Sequence, residues 1–423
     1  MQAIIAFIII FGVLVIVHEF GHYYVAKKSG ILVREFSIGM GPKLLAFHKK
    51  GTTYTLRLLP LGGYVRMAGL EDDDSEVRAG TTALLTLDSN NKVKEINLSK
   101  QADALNSIPI EIDKADLVHN LCITGYVNGD ESELKHYQVD HDAMIVETDG
   151  TAVQIAPIDV QYQSVSIWKR IIVNFAGPFN NFVLAIVAFG LAAFVNGGVL
   201  QTQSNQIGSI VHNDPAAKAG LKAGDRIVKI NNQNTTNFID LTTIINKHPR
   251  SAITLTVKTP QNNIRNVKIT PKAIDQNGTK IGVIGITPVK QNTLLGNVKY
   301  AFMQFGAMTA NIFQVLGSFF TGGFSLNKLA GPVGIYTMTS EAVKFGIPTL
   351  IQFAAALSLN LGIMNLIPIP ALDGGKILLN VIEAIRHKPL SPEKEGLITM
   401  IGFGVLLILM VLVTGNDIMR YFR

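Results

Sequence analysis

Apolar runs of membrane-spanning length alternate with polar stretches along this sequence. A helix needs about 20 predominantly apolar residues to cross a bilayer, and the sequence contains four runs of about that length. They occupy residues 4–26, 171–195, 347–367 and 396–413. The pattern therefore predicts a polytopic α-helical membrane protein with about four spans.

A fifth apolar run, at residues 301–320, has a different pattern. Gln304, Asn311 and Ser318 recur every seven residues with Gln314 beside them, which gives a helix a polar stripe. We interpret this run as an amphipathic helix lying in the membrane interface. If it spanned the bilayer, the next span would run in the opposite sense and carry its end away from the end of the first span.

Two polar stretches carry β-strand patterns. Residues 52–67 alternate β-formers with polar residues around Pro60 and a Gly pair, which predicts a hairpin or a bulged edge strand. Residues 70–159 contain nineteen acidic and six basic residues. Short alternating runs there predict a soluble, mostly β insert with a disordered acidic start at residues 71–74.

Basic residues set the expected orientation. Residues 27–66 contain eight Lys and Arg and a single acid, Glu35, so the positive-inside rule places this stretch and the acidic insert in the cytoplasm. Both termini and the polar stretch after the second span then lie outside. The first run has neither a basic leader nor a small-residue cleavage site, so we expect a retained span rather than a signal peptide.

Composition narrows the functional classes. The 423 residues are 48% hydrophobic with a mean hydropathy of +0.30, as expected of an integral membrane protein with sizeable polar parts. The net charge of +6 lies beside apolar segments rather than on a basic domain, so we expect no nucleic-acid partner. Cys122 is the single cysteine, which excludes an internal disulfide and a Cys-rich metal site.

The first apolar run ends in the polar group His18-Glu19-Phe20-Gly21-His22. On a helix the two imidazoles project from one face and can bind one metal ion, with Glu19 beside them to act on a water molecule. A chance occurrence would leave three ionisable groups at membrane depth, at a cost on the order of several kcal/mol. We therefore interpret the group as a metal site, nearer the cytoplasmic end of the span.

The third apolar run ends in a helix break at residues 365–375. Two prolines and a Gly pair interrupt the helix, and non-helical backbone at membrane depth persists only where protein or a cavity satisfies it. Asp373 is thereby expected at the cytoplasmic end of its span, level with His22. In the second span, Gly177-Pro178 lets helices approach, while packing and function remain equally open for Asn181.

Residues 206–289 resemble a PDZ domain. The resemblance rests on Ala219-Gly220-Leu221, Gly224-Asp225-Arg226-Ile227 and Ile230-Asn231. Such domains bind extended peptides by strand addition. A peptide ligand is therefore one expectation, and a steric guard without a ligand is the other.

The chain as a whole resembles the bacterial site-2 proteases, which are intramembrane zinc metalloproteases, and in particular the regulator-of-sigma-E-protease type with one PDZ domain. The HEFGH group and the break at residues 365–375 carry the resemblance. Gly331-Pro332-Val333-Gly334 and Leu61-Gly62-Gly63-Tyr64 also match. The acidic insert departs from the best-known members.

This resemblance implies roles for individual residues. The implied zinc ligands are His18, His22 and Asp373, and Glu19 is the implied general base. The asparagine near the zinc falls on Asn365, where its amide could donate to the oxyanion. A second asparagine candidate is Asn360.

The resemblance also implies how substrate is held. Residues 52–67 would form a membrane-associated β-hairpin that clamps substrate as a strand. The expected contacts are Leu61, Gly62, Gly63 and Tyr64. The PDZ domain would select substrates by the size of their outer portion.

The expected function is that of an intramembrane zinc metalloendopeptidase. Its substrates would be single-span membrane proteins, such as anti-sigma factors or remnant signal peptides, cleaved in regulated intramembrane proteolysis. The alternative is a non-catalytic membrane scaffold that presents the PDZ domain and holds a structural metal. That alternative requires a fourth protein ligand, for which Glu35 and His48 are the nearest but poorly placed candidates. A metal transporter would need ionisable residues in several spans, which the second and fourth spans lack.

The expected architecture combines these parts: about four spans, a membrane-associated β-hairpin, a cytoplasmic mostly β insert and an extracytoplasmic PDZ domain. The four spans with their flanks are assigned to residues 1–26, 167–197, 346–385 and 386–423. The hairpin region, the insert, the PDZ domain and the interfacial helices are assigned to residues 27–69, 70–166, 198–290 and 291–345.

Overall fold

The computed structural model describes residues 1–70, 77–99, 107–130, 132–276, 279–322 and 325–421. The chain divides into two compact units. The first consists of residues 1–188 and 307–423, and the second of residues 189–306. The acidic start expected to be disordered, residues 71–74, lies outside the described residues.

Nine α-helices occur in the described ranges. In chain order they are α1 (Gln2–Ser29), α2 (Ile167–Val195), α3 (Pro215–Lys218), α4 (Phe238–Asn246), α5 (Leu294–Phe320), α6 (Pro332–Lys344), α7 (Ile347–Asn365), α8 (Asp373–Arg386) and α9 (Pro392–Tyr421). Among the described residues, α1, α2, α7 and α9 are long and apolar enough to cross a membrane. The four predicted apolar spans are therefore all helical, and α5 is not among the four spanning candidates.

Two long strands follow α1, namely β1 (Val33–Lys49) and β2 (Thr52–Met67). Both strands double back, so that residues 33–38 pair with residues 63–67 on one side and with residues 53–56 on the other. Residues 43–49 pair with the start of β2. The result is a sheet of four segments in the order 43–49, 52–57, 33–38 and 63–67.

Glycines allow these strands to bend. Gly39 and Gly41 in β1 have φ of 88° and 83°, and Gly62 in β2 has φ of 92°. Residues other than glycine rarely adopt these backbone conformations. Residues 52–67 are therefore one bent strand with an irregular register along β1, as the alternative of a bulged strand predicts, and the hairpin is formed by β1 and β2 together. The sequence pattern did not predict β1, because its glycines and Pro42 interrupt the alternation.

The acidic insert is built of strands. They are β3 (Thr82–Leu87), β4 (Val93–Asn97), β5 (Ile108–Asp116), β6 (Cys122–Val127), β7 (Leu134–Val146) and β8 (Ala152–Gln154). The sheet order is β4-β3-β5-β6-β7-β8, and a parallel β4–β7 pairing closes the sheet on itself. Alternate residues such as Leu85, Ile96 and Ile112 fill its core, which explains the period-2 pattern in the sequence.

In its described residues, the second compact unit contains ten short strands around a separate core. They are β9 (Val199–Leu200), β10 (Ile207–Ile210), β11 (Arg226–Ile230), β12 (Gln233–Asn234), β13 (Ile253–Lys258), β14 (Ile264–Ile269), β15 (Lys272–Gln276), β16 (Thr279–Val283), β17 (Ile286–Pro288) and β18 (Lys290–Gln291). The largest sheet has the order β12-β11-β13-β14. Leu241 of α4 packs in the same core as Ile227 and Leu255, so α4 and this sheet form one hydrophobic layer pair.

Helix α2 packs closely against both α1 and α7. Gly21 of α1 lies against the backbone of Ala176, so closely that a Cβ at Gly21 would overlap the Ala176 carbonyl. Gly362 of α7 lies against Pro178 and Phe182 in the same way. Small residues at such crossings let helices approach closely. Helices α1 and α7 are thereby both held against the middle of α2.

Candidate metal centre

The two histidines lie on the buried face of α1. His18 and His22 are 8% and 6% exposed, and they share this face with Leu14, Gly21 and Ala26. Residues four apart lie one above the other on a helix, so the two rings are adjacent, with centroids 4.9 Å apart. The α1 backbone alone therefore brings the two imidazoles together.

The third member of the site arrives through the break between α7 and α8. Helix α7 ends at Asn365, and α8 begins at Asp373. The intervening loop folds back onto the start of α8, where a Cβ at Gly374 or Gly375 would overlap the Leu366 or Ile369 carbonyl. Only residues without a side chain fit there, and the fold-back places Asp373 at the N-terminus of α8.

Three ligand atoms converge at this point. Asp373 Oδ2 lies 3.1 Å from His18 Nε2 and 3.4 Å from His22 Nε2, and the two Nε2 atoms lie 3.2 Å apart. Zinc bonds to N and O of about 2.0–2.1 Å in a tetrahedral site put neighbouring ligand atoms about 3.3 Å apart. The three atoms therefore match one face of a zinc tetrahedron, and two imidazoles with one carboxylate are a zinc-binding set.

Helix α2 orients both imidazoles from behind. His22 Nδ1 lies 2.8 Å from the Val173 carbonyl, to which it donates. His18 Nδ1 lies 3.2 Å from Asn181 Nδ2, and Oδ1 of the same amide is buried without a partner among the described residues. A His18 that binds a metal through Nε2 carries its proton on Nδ1, so the amide must then turn its Oδ1 to this nitrogen to accept the hydrogen bond. Both rings then present Nε2 to Asp373, as outer hydrogen bonds do in metal sites.

Gly177 of α2 packs directly on the histidine rings. A Cβ at this position would overlap His22 Nε2 and lie 2.8 Å from His18 Nε2. The absence of a side chain at Gly177 therefore leaves the space in which the ligand atoms meet.

Tyr162 connects the helix that supports the histidines to the helix that carries Asp373. Its hydroxyl accepts hydrogen bonds from Asn174 of α2 at 2.7 Å and from Asn380 of α8 at 2.8 Å. Burial raises the pKa of Tyr162 to about 12, so the hydroxyl stays protonated at neutral pH. Since Asn174 directly follows Val173, this oxygen ties α8 to the support of His22.

Arg170 reinforces the same junction. It forms hydrogen bonds from Nη1 to both carboxylate oxygens of Glu383 of α8, at 3.1 and 3.0 Å. Its guanidinium also lies 5.6 Å from the centre of the Tyr162 ring. Helix α8 is therefore fixed to α2 by an ion pair as well as by the tyrosine.

The remaining predicted residues lie at different places. Glu19 is half-buried, and its carboxylate interacts electrostatically with His18, His22 and Asp373. Asn365 is the half-buried last residue of α7, whereas Asn360 is exposed on that helix. In the described part of the chain no hydrogen bond joins either asparagine to the three converging residues.

The predicted substrate contacts lie in the bent part of β2. The outer segment at residues 63–67 begins with Gly63 and Tyr64, which pair with Ile38 and Ser37. Gly63 also lies against Val15 of α1, about one helical turn before His18. Leu61 and Gly62 form the bend that leads into this segment.

The sequence-based candidates for a fourth ligand are used elsewhere. Glu35 accepts hydrogen bonds from Thr55 and Arg57, and His48 is bonded to Thr53. Among the described residues, the group of His, Cys, Asp and Glu able to hold a metal has three members. A zinc ion held by these three residues would keep one position open, as in catalytic zinc sites.

Sequence reasoning missed the supports of the site. The Val173 carbonyl carries no side-chain signal, and Gly177 was interpreted only as a point of helix approach. Tyr162 was not singled out at all. The available signals were Asn174 and Asn181, polar residues that flank Gly177 in an apolar span.

Comparison with known proteins agrees with this geometry. The family model described as "Peptidase family M50" matches residues 6–409. The protein named "Probable protease eep" of Enterococcus faecalis is 51% identical over 423 residues, covering 100% of both chains. A protein of Streptococcus pyogenes serotype M6 named "Putative zinc metalloprotease" is 50% identical over 432 residues, again covering 100% of both.

The solved structures that match include one that covers a smaller part of the chain. It is the PDZ domain of an SdrC-like protein from Listeria monocytogenes, at 25% identity and a TM-score of 0.18, covering 22% of this chain and 93% of that one. The family match and the full-length relatives decide the assignment. The described residues include four helices of membrane-spanning length, and the chain belongs to peptidase family M50, the zinc-dependent site-2 metalloproteases of the membrane.

Proposed function

We propose that this protease hydrolyses peptide bonds within single-span membrane proteins, in regulated intramembrane proteolysis. Membrane-anchored anti-sigma factors and remnant signal peptides are the substrate types it would take. The observation that carries the proposal is the convergence of His18, His22 and Asp373. The two histidines lie on the membrane-length helix α1, and Asp373 begins α8, which follows the membrane-length helix α7. A site built there meets peptide bonds that lie inside the bilayer.

The proposed roles follow from chemistry and position. His18, His22 and Asp373 hold the zinc, which when bound polarises the scissile carbonyl and acidifies a water molecule. Glu19 accepts the proton of that water and passes it to the leaving amine. Asn365 stabilises the developing oxyanion through its amide.

Substrate must be unwound before it can be cut. The peptide bonds of a transmembrane helix are shielded by their own hydrogen bonds, and lipid offers no replacement. Strand addition along residues 61–64 would supply replacement bonds from the β2 backbone. This assigns Leu61, Gly62, Gly63 and Tyr64 to substrate binding, with Asn360 as a further contact.

The orientation follows from charge. The basic residues between α1 and the insert favour a cytoplasmic location, which puts both termini outside and the active site near the cytoplasmic side. Residues 198–290 would then lie outside as a PDZ domain that selects substrates by size or by binding a peptide. The lipid bilayer is the second partner of the protein.

A scaffold with a structural metal is the weaker alternative. Structural zinc sites are closed by four protein ligands, whereas the described residues offer three at this centre. An open position has no use in a purely structural site.

The test is a glutamate substitution in purified protein. A Glu19→Gln variant should retain zinc and insert into membranes, yet lose cleavage of a tagged single-span substrate by a factor of at least about 100. Wild-type protein that binds zinc but leaves every single-span substrate intact would refute the proposed substrate class. Retained cleavage by the variant would refute the role of Glu19.

A further inference from the structure

One face of the four-segment sheet is polar and yet buried. Glu35, Ser37, Thr53 and Thr55 share this face through their pairing register, and each is at most 3% exposed. Glu35 Oε1 accepts hydrogen bonds from the Thr55 hydroxyl at 2.6 Å and from Arg57 Nη2 at 2.9 Å. Buried polar groups need partners, so this face requires a polar cover.

The end of the insert supplies that cover. The Thr53 hydroxyl donates to the Ala152 carbonyl of β8. Arg34, which is 2% exposed, donates from Nε to the Gln154 carbonyl at 2.7 Å. A buried guanidinium bonded to a backbone carbonyl fixes the position of β8 on the sheet.

The turn between β7 and β8, residues 147–151, adds charge contacts; we name it the brace turn. Glu147 Oε1 accepts a hydrogen bond from Arg66 Nη1 at 2.6 Å, and both side chains are 20% exposed. Asp149 Oδ2 lies 4.0 Å from Arg57 Nη1. The acidic turn thus complements the basic residues of β1 and β2.

Arg66 belongs to the outer segment at residues 63–67. Tyr64 and Arg66 are two residues apart, so their side chains lie on the same face of the segment. In the described part of the chain this segment pairs with a strand on one side, which leaves its other edge available for strand addition. A contact that fixes the position of Arg66 therefore also fixes the unpaired edge of the outer segment.

We propose that the brace turn positions the outer segment for the substrate strand, with Glu147 and Arg66 as positioning residues. The inference rests on the proposed function, because it requires substrate to add as a strand to β2, where Gly63 and Tyr64 belong both to the proposed substrate contacts and to the outer segment. The insert thereby acquires a defined role, since it controls substrate binding and leaves zinc binding unchanged.

The experiment compares charge exchange at this pair in the full-length, zinc-loaded protein. Glu147→Arg and Arg66→Glu are made singly and together, with Glu147→Gln as a milder variant. Glu133→Arg is the matched control, since Glu133 pairs with Lys135 on the same insert and is 74% exposed. Cleavage of a fluorescent single-span substrate gives KM and kcat, and elemental analysis gives the zinc content.

Each single reversal should raise KM about fivefold with kcat and zinc content retained, and the double exchange should return KM to within about twofold of wild type. Glu147→Gln should show a smaller rise, and Glu133→Arg none. An unchanged KM in the single variants, or an exchange that restores nothing, would overturn the positioning role. Wild-type protein inactive on single-span substrates would instead count against the proposed function.

Discussion

At the scale of single residues, the site depends on positions where a side chain is absent as much as on those where one is present. Gly177 leaves the space in which His18 and His22 present Nε2 to Asp373. The Val173 carbonyl and Asn181 fix the rings from the other side. Ligand geometry is therefore set by α2, which contributes no ligand itself.

Replacing Gly177 by alanine should disrupt the centre. The new Cβ would overlap His22 Nε2 and approach His18 Nε2 to 2.8 Å, so both rings must move and zinc affinity should fall by at least about tenfold. Chelator competition measures the affinity. Gly190→Ala on the same helix is the control, since its Cβ would make an ordinary 3.7 Å contact with Ala301.

Removing the Asn181 side chain should loosen His18. Without an acceptor for Nδ1–H the ring loses its fixed orientation, and zinc affinity should fall about tenfold, as for other partners of metal-bound histidines. Asn180→Ala is the neighbouring control, because its amide bonds the Val17 carbonyl rather than a ring. Equal zinc affinities in the two variants would argue against the proposed role of Asn181.

At the scale of elements, the centre needs α8 to be held against α2. Tyr162 accepts hydrogen bonds from Asn174 and Asn380, and Arg170 binds Glu383. These contacts lie two to three turns along α8 from Asp373. A small rotation of α8 would carry Asp373 away from the histidines, so the junction fixes the position of Asp373.

Tyr162→Phe should therefore weaken both stability and zinc binding. The change leaves two buried amides without their acceptor, at a cost of about 1–3 kcal/mol for each group. We expect a lower temperature of thermal inactivation and faster zinc loss to a chelator. Tyr126→Phe, at a residue that lies in β6 of the insert, should change neither, and a Tyr162→Phe variant that holds zinc as wild type does would contradict the proposed coupling.

A histidine on the insert should make the attachment of the 3-10 turn at residues 158–160 pH-dependent. His141 bonds Asp142 at 2.9 Å and Asp159 at 3.1 Å, and these carboxylates raise its pKa above the ordinary value of 6.5. A raised folded-state pKa gives stability that is complete below about pH 6.5 and is lost as pH rises through the folded-state pKa. The interaction adds at most about 1 kcal/mol to the free energy of unfolding, because His141 and both carboxylates are exposed.

Hydrogen-exchange protection factors of the 3-10 turn Ile158–Val160 measure this effect. Protection should be higher at about pH 5.5 than at about pH 8.5 in the wild type, and the difference should disappear in His141→Gln. Protection that rises with pH would have the wrong sign for this interaction.

The sequence predicted the elements whose signal is local. The four apolar helices follow from run length, and the His18–His22 pairing follows from helical period. Strand β1 was missed because Gly39 and Gly41 break its alternation, although those same glycines make its bend possible. Because β1 and β2 bend together, neither strand keeps a regular alternation of apolar and polar residues.

Tertiary packing accounts for the rest. The family resemblance named Asp373 as a ligand, yet the distance to His22 depends on loop fold-back at Gly374 and Gly375. The Val173 carbonyl and the Tyr162 hydroxyl act through backbone position and burial, and these cannot be predicted from the residue type alone. Such supports become visible only when α1, α2 and α8 are placed together.

At the scale of the whole molecule, the first compact unit combines a metal centre, a sheet whose outer segment 63–67 has an unpaired edge among the described residues, and an insert that covers the polar face of that sheet. Cutting within a bilayer requires unwound substrate beside the metal, and Gly63 lies against α1 at Val15. Helix α1 therefore both carries the two histidines of the metal centre and contacts the outer segment of the sheet.

The ligand set of the zinc tests the account most directly. X-ray absorption at the zinc edge of the purified full-length protein should show two imidazole nitrogens and one carboxylate oxygen, with the fourth position filled by a light atom from outside the chain. An Asp373→Ala variant should lose zinc. A sulfur neighbour at the zinc, or wild-type zinc coordination in Asp373→Ala, would contradict the three-residue centre.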